Sequence, residues 1–143
     1  MRIAAIFSGP CSHFGGPDDS GVAPDEGLAF HYEITDDNEH LFLDYQPDGT
    51  TGLARRLNPE VYYFAARFDY DETPKDMLAD QRNRAVVFAP ATNTAHLAYA
   101  ADWGPHTSTR RAADLSPGLL DALGLETDDT VVVIYVVVSD AEV

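Results

Sequence analysis

Apolar residues along the chain gather in short runs separated by glycine, proline, aspartate and asparagine, a spacing that predicts strands joined by turns. Residues 61–70 are rich in aromatic and β-branched types, and Val61, Tyr63 and Ala65 alternate with Tyr62, Phe64 and Ala66, as in a strand buried on both faces. Residues 85–89 and 95–101 predict two further strands. Pro90-Ala91-Thr92-Asn93-Thr94 between them is turn chemistry, so the two should form a hairpin. The valine-rich run 130–138 predicts a fully buried strand, and Leu41-Phe42-Leu43 a short one closed by the turn residues of 46–52.

Helical signals are brief. Residues 53–57 suit a single turn. Thr73-Pro74 places a capping residue before proline at the first helical position and predicts a short helix to about Ala79. Ser116-Pro117 repeats the signal; Leu119, Leu120 and Leu123 make one apolar face, and Gly124 is placed to stop the helix. Residues 14–26 are crowded with Gly, Pro, Asp and Ser and predict a long irregular loop before the apolar run 28–32, and residues 36–39 predict a solvated turn. With no repeat and no low-complexity linker, 143 residues at 45% apolar content predict one domain spanning 1–143.

Residues 1–7 carry one positive charge and a short apolar stretch broken by Ser8-Gly9-Pro10, too short for a secretory segment, and no run approaches the roughly 18 to 20 apolar residues of a membrane span. The expectation is a soluble chain made in the cytoplasm without membrane insertion. Charge narrows the partners: 24 acidic residues face 9 basic ones, for a formal net charge of −15. The paired basics are Arg55-Arg56 and Arg110-Arg111, and Lys75 is the sole lysine, so nucleic acid and anionic membranes are excluded as main partners. Such acidity fits either a high-salt setting or a genome that prefers arginine to lysine. Cys11 is alone, which rules out an internal disulfide and a thiolate zinc site. His13, His31, His40, His96 and His106 lack metal-ligand spacing, Gly15-Gly16-Pro17 is a turn rather than a phosphate cradle, and no metal or cofactor is expected.

The most specific segment is 85–138, where a hairpin is followed by Asp102-Trp103-Gly104-Pro105, then Arg111-Ala112-Ala113-Asp114-Leu115-Ser116, a short helix and a last strand. This order resembles the double-psi β-barrel domain of rare lipoprotein A, expansins and loosenins, in which Asp-x-Gly-Pro precedes x-Asp-Leu-Ser by about ten residues. The resemblance covers roughly the last 60 residues. Tyr62 to Arg67 would supply the preceding strand, and Ser12 to Gly21 is loosely similar to the opening aromatic-glycine segment. It implies a mainly β fold, a six-stranded double-psi β-barrel with short connecting helices.

The resemblance also implies that Asp102 and Asp114 lie in a shallow groove across the barrel, as candidate catalytic residues. Breaking a glycosidic bond needs an acid to protonate the leaving oxygen, and a carboxyl raised in pKa by partial burial can serve as acid and then base. A lytic transglycosylase needs one such group, because the sugar's own hydroxyl attacks; a hydrolase uses two. Other roles stand beside these. Asp114 could accept backbone N–H groups at the helix start, Asp102 could organise its Gly-Pro turn, and Trp103 could stack on a sugar ring or pack on the barrel. His106 and Thr107 share the loop and are candidate substrate contacts.

Rare lipoprotein A carries Ala-Ala-His where this chain reads Ala65-Ala66-Arg67. Arginine is neither acid nor base at ordinary pH, but Arg67 could line the groove and, paired with Asp102, would hold that carboxyl ionised, favouring binding over cleavage. His31 is a candidate to replace the missing histidine in space. Three functions follow: a barrel that binds or remodels a cell-wall polysaccharide, peptidoglycan first, with lytic transglycosylase or glycosidase activity as one course; a non-catalytic part of a phage particle or injection assembly, contacting other virion proteins; and a protein-interaction barrel.

Overall fold

The computed structural model describes residues 2–67, 84–105 and 107–137. The helix expected over 73–79, the end of the strand expected over 61–70, Val138 and His106 lie outside the described residues.

Six strands close into a barrel: β1 (Arg2–His13), β2 (Tyr63–Ala66), β3 (Arg84–Ala89), β4 (Thr94–Trp103), β5 (Ala113–Leu115) and β6 (Thr130–Val137). Their order around the barrel is β1-β5-β2-β4-β3-β6. The β1/β5 and β2/β4 pairs are parallel, and the remaining pairs are antiparallel. Advancing each strand number by three maps this ring onto itself and one parallel pair onto the other. The architecture is therefore the mainly β, closed six-stranded barrel expected. Among the described residues its α-helices are short: α1 (Leu53–Arg56) and α2 (Pro117–Ala122).

β1 is the longest strand, and the sequence pattern did not predict it. Ser8-Gly9-Pro10 reads as a breaker, yet here it is the corner where β1 changes partners. Residues up to Pro10 pair with β6, and from Cys11 onward the strand pairs with β5. Proline has no N–H to lose at such a switch, while its carbonyl still accepts the Ala112 N–H at 2.8 Å. Gly9, at φ 154°, faces Ala112, whose Cβ would lie 3.2 Å from any Cβ added there.

The hairpin forms as expected, with Phe88 opposite Ala95 and Val86 opposite Leu97. β6 differs from its prediction. It alternates, with Val131, Val133 and Tyr135 fully buried and Val132, Ile134 and Val136 only partly so, because a barrel strand has one face inward and one outward. β2 is buried on both sides, since the β1–β2 connection packs over its outer face. That connection carries its own apolar cluster of Val22, Leu28, Leu41, Phe42, Ala54 and Leu57 against Tyr63 and Ala101. Leu41-Phe42-Leu43 is not a strand there: Glu39–Leu41 is a 3-10 turn, and Phe42 makes one isolated bridge with Leu57. Side-chain packing and arginine-to-carbonyl bonds hold this region instead, as where Arg55 donates to the Val22 and Pro17 carbonyls.

α2 begins as its sequence requires. Ser116 Oγ accepts the Leu119 N–H at 3.1 Å, Pro117 opens the helix, and Gly124 follows it at φ 69°, a left-handed conformation that glycine adopts without strain. Among the described residues no helix is long and apolar enough to cross a membrane.

Candidate active site groove

The strand order brings the two candidate aspartates together. β2 lies between β5 and β4, and Ala65 is the register partner of Asp114 on one side and of Asp102 on the other. On the far side of β5, Ser12 partners Asp114, so Ser12, Asp114, Ala65 and Asp102 form one row across four strands. Register partners project to the same face of a sheet, and two strand spacings put the aspartate Cα atoms roughly 9.5 Å apart. The methyl group of Ala65 between them leaves the floor low. A groove of about 370 Å³ opens over this row, walled by His13, Phe14, Asp19, Glu26, Trp103 and Pro105.

The two carboxyls sit in different surroundings. Asp102 Oδ1 accepts two backbone N–H groups, from Ala29 at 2.8 Å and from its neighbour Trp103 at 2.9 Å. The first ties the β1–β2 connection to the end of β4, and the second organises the turn, the role its position before Gly104-Pro105 suggested. Asp114 receives no hydrogen bond on its carboxyl from any described residue. The helix start is capped by Ser116, so the expected alternative of Asp114 as acceptor of helix N–H groups is not realised. Half-buried and unbonded, Asp114 is pushed up from 3.8 to about 6, mainly by desolvation, with Asp102 and Asp19 adding repulsion; Arg111 and His13 partly oppose the shift.

Trp103 stands at the rim of the groove and is 43% exposed. Thr107 opens a 3-10 turn, Thr107–Thr109. Arg67 departs from expectation. Its backbone N–H reaches the Ala112 carbonyl at 3.4 Å, but its guanidinium forms no ion pair with Asp102, and it is not among the groove-lining residues. The chain leaves the barrel at Ala66, so the Arg67 side chain is not held in the row. The larger opposing influence on Asp114 comes from Arg111, which is itself bonded to Asp128 at 3.0 Å.

His31 does not replace the missing histidine. It is 4% exposed, donates through Nε2 to the Ala100 carbonyl at 3.1 Å and accepts at Nδ1 from Asn38 Nδ2 at 3.2 Å. Burial lowers its pKa, and both ring nitrogens are committed, which makes it a neutral core residue. Among the described residues the histidine at the groove is His13, at the end of β1 next to Ser12, with Nδ1 3.4 Å from Thr127 Oγ1. His13, Asp19 and Glu26 were missed because they belong to β1 and the irregular loop after it. The available signal was the weak similarity of Ser12 to Gly21 to the opening segment of the barrel family.

Cys11 is fully buried, and its thiol is pushed up to about 11 by desolvation and by Asp129, so it is not a nucleophile at neutral pH. No protein-family model matches the chain, and no curated protein matches it.

Proposed function

We propose that the groove binds a cell-wall glycan, with peptidoglycan as the first candidate. The observation that carries this reading is the row itself: the Asp102 carboxyl, held by two backbone N–H groups, and the Asp114 carboxyl, which no described residue hydrogen-bonds, flank a low alanine floor beneath an exposed tryptophan. Sugar rings suit such a place, because their hydroxyls donate to carboxylates and their C–H faces stack on aromatic rings. The test is cosedimentation of pure protein with insoluble peptidoglycan at pH 6. Retention with the pellet is expected, and loss of retention in Trp103→Ala. Wild-type protein left in the supernatant would contradict the reading.

The hydrogen-bond poverty of Asp114 favours a second reading, in which the bound strand is also cut. A carboxyl titrating near 6 is protonated in mildly acid conditions and is matched to general acid work. Asp114 would give its proton to the glycosidic oxygen as the bond from that oxygen to the anomeric carbon breaks. A hydroxyl of the same sugar would then attack the anomeric carbon and return its proton to the Asp114 carboxylate. The products are an anhydro end and a free hydroxyl, with no water consumed. Mass spectrometry separates the outcomes: anhydro ends support this course, new reducing ends indicate hydrolysis, and intact strands leave binding alone.

A further inference from the structure

The groove does not end at His13. A second depression of about 430 Å³ adjoins it, lined by Gly15, Gly16, Pro17, Asp18, Ser20, Pro59 and Pro117, and sharing His13 and Asp19 with the groove as a common wall. Its surfaces are rigid. Asp19 is clamped by the Gly15 N–H on Oδ2 at 2.7 Å and the Gly21 N–H on Oδ1 at 3.0 Å. Gly15 lies so close to Tyr63 that an added Cβ would meet the phenolic oxygen at 2.6 Å, and that hydroxyl donates to the Phe14 carbonyl at 2.7 Å. The Pro59 wall is tied to the start of α2 by the Gly118 N–H on the Pro59 carbonyl at 2.8 Å.

We infer that this depression is a second glycan subsite, and that the ligand is an internal stretch of a polysaccharide backbone whose sugar rings carry no free carboxylate or sulfate, running from Trp103, over Asp114, past His13 and Asp19, to the Gly-Pro floor. The inference rests on the glycan reading above and specifies how the strand lies. Three observations support it. The two depressions are continuous through shared side chains, which suits a polymer rather than a single ring. Asp114 lies within the track and not at its end, so a strand that reaches both depressions passes over it with residues on either side. Among the described residues the track presents Asp18, Asp19, Glu26, Asp102 and Asp114 against His13 as its only basic residue, which disfavours rings bearing carboxylate or sulfate. The Gly-Pro floor offers flat, preformed surface that costs little ordering on binding.

The experiment measures binding of β-1,4-linked N-acetylglucosamine oligomers by quenching of Trp103, the single tryptophan. Affinity should rise at least tenfold from dimer to hexamer in the wild type. Ser20→Arg places a long side chain across the second depression without touching the groove, and should bring the hexamer down to the dimer's affinity while the dimer is unaffected. Asp18→Arg provides the same block from the neighbouring position should Ser20→Arg fold poorly. Hexamer binding unchanged in both folded variants, or equal dimer and hexamer affinity in the wild type, would overturn the second subsite while leaving glycan binding in place. Absence of binding by every oligomer, at a concentration where peptidoglycan is also not retained, would remove the glycan reading and this inference with it.

Discussion

Asp102 and Asp114 flank the same alanine from opposite strands, yet the chain treats them differently. Asp102 is where the β1–β2 connection docks on the barrel: its Oδ1 takes the Ala29 and Trp103 N–H groups, so the carboxyl is part of the scaffold. Asp114, partly buried like Asp102, is offered no donor by any described residue, and Ser116 two residues later caps α2 in its place. Equal position in a sheet thus does not mean equal chemistry. The donors that surround a carboxyl decide whether it holds structure or holds a proton.

Four substitutions can break or sharpen this contrast, beginning with the largest expected effect. If peptidoglycan is cut, Asp114→Asn should reduce the rate about 100-fold to 10,000-fold, with peptidoglycan retention near wild type. Rates are read from soluble muropeptides at pH 6. A cleaving Asp114→Asn variant would show that the proton comes from elsewhere. Asp102→Ala leaves two backbone N–H groups without their acceptor and should cost about 2 to 3 kcal/mol in denaturant unfolding, against less than about 1 kcal/mol for Asp102→Asn, which keeps an acceptor oxygen. Equal costs would deny the scaffold role.

Ser116→Ala should cost about 0.5 to 2 kcal/mol, toward the upper end because the buried Ser116 Oγ serves the Tyr63 N–H as well as the helix cap. An unchanged midpoint at constant slope would show the cap to be unimportant. Asp114→Asn should go the other way. A carboxyl whose folded pKa is raised binds its proton more tightly folded than unfolded, so its contribution is favourable at low pH and is lost as pH rises from about 4 through about 6. Above that window the ionised, half-buried group is a penalty, discounted for its partial exposure to about 1 kcal/mol. Removing its charge should therefore stabilise the protein at pH 7 by about that amount, raising Tm by about 2 to 4 °C, and do little at pH 4. A pH-independent difference would contradict the assignment.

Much of the barrel could be read from the residues. The hairpin over β3 and β4, the capped helix after Ser116 and the valine-rich β6 each carry local signals that the packed molecule keeps. The unread parts depend on distant partners. β1 hides behind Ser8-Gly9-Pro10 because only the barrel shows that this breaker is a change of partners. Leu41-Phe42-Leu43 has strand composition, but its surroundings offer one bridge to Leu57 and a side-chain core, so packing overrides propensity. The site was half visible. Asp102 and Asp114 could be named from their motifs, while Ala65 as the floor between them, His13 as the nearby histidine and Asp19 as the clamped wall required the strand order.

The central claim, that Asp114 is the proton-holding group of the groove, is tested most directly by following its side-chain carboxyl carbon by NMR as pH is raised from 3 to 9, assigned by its loss in Asp114→Asn. A midpoint near 6 is expected, from burial without hydrogen-bond donors. A midpoint near 4 would mean that water or an unexpected donor stabilises the carboxylate, and would leave the groove without its acid.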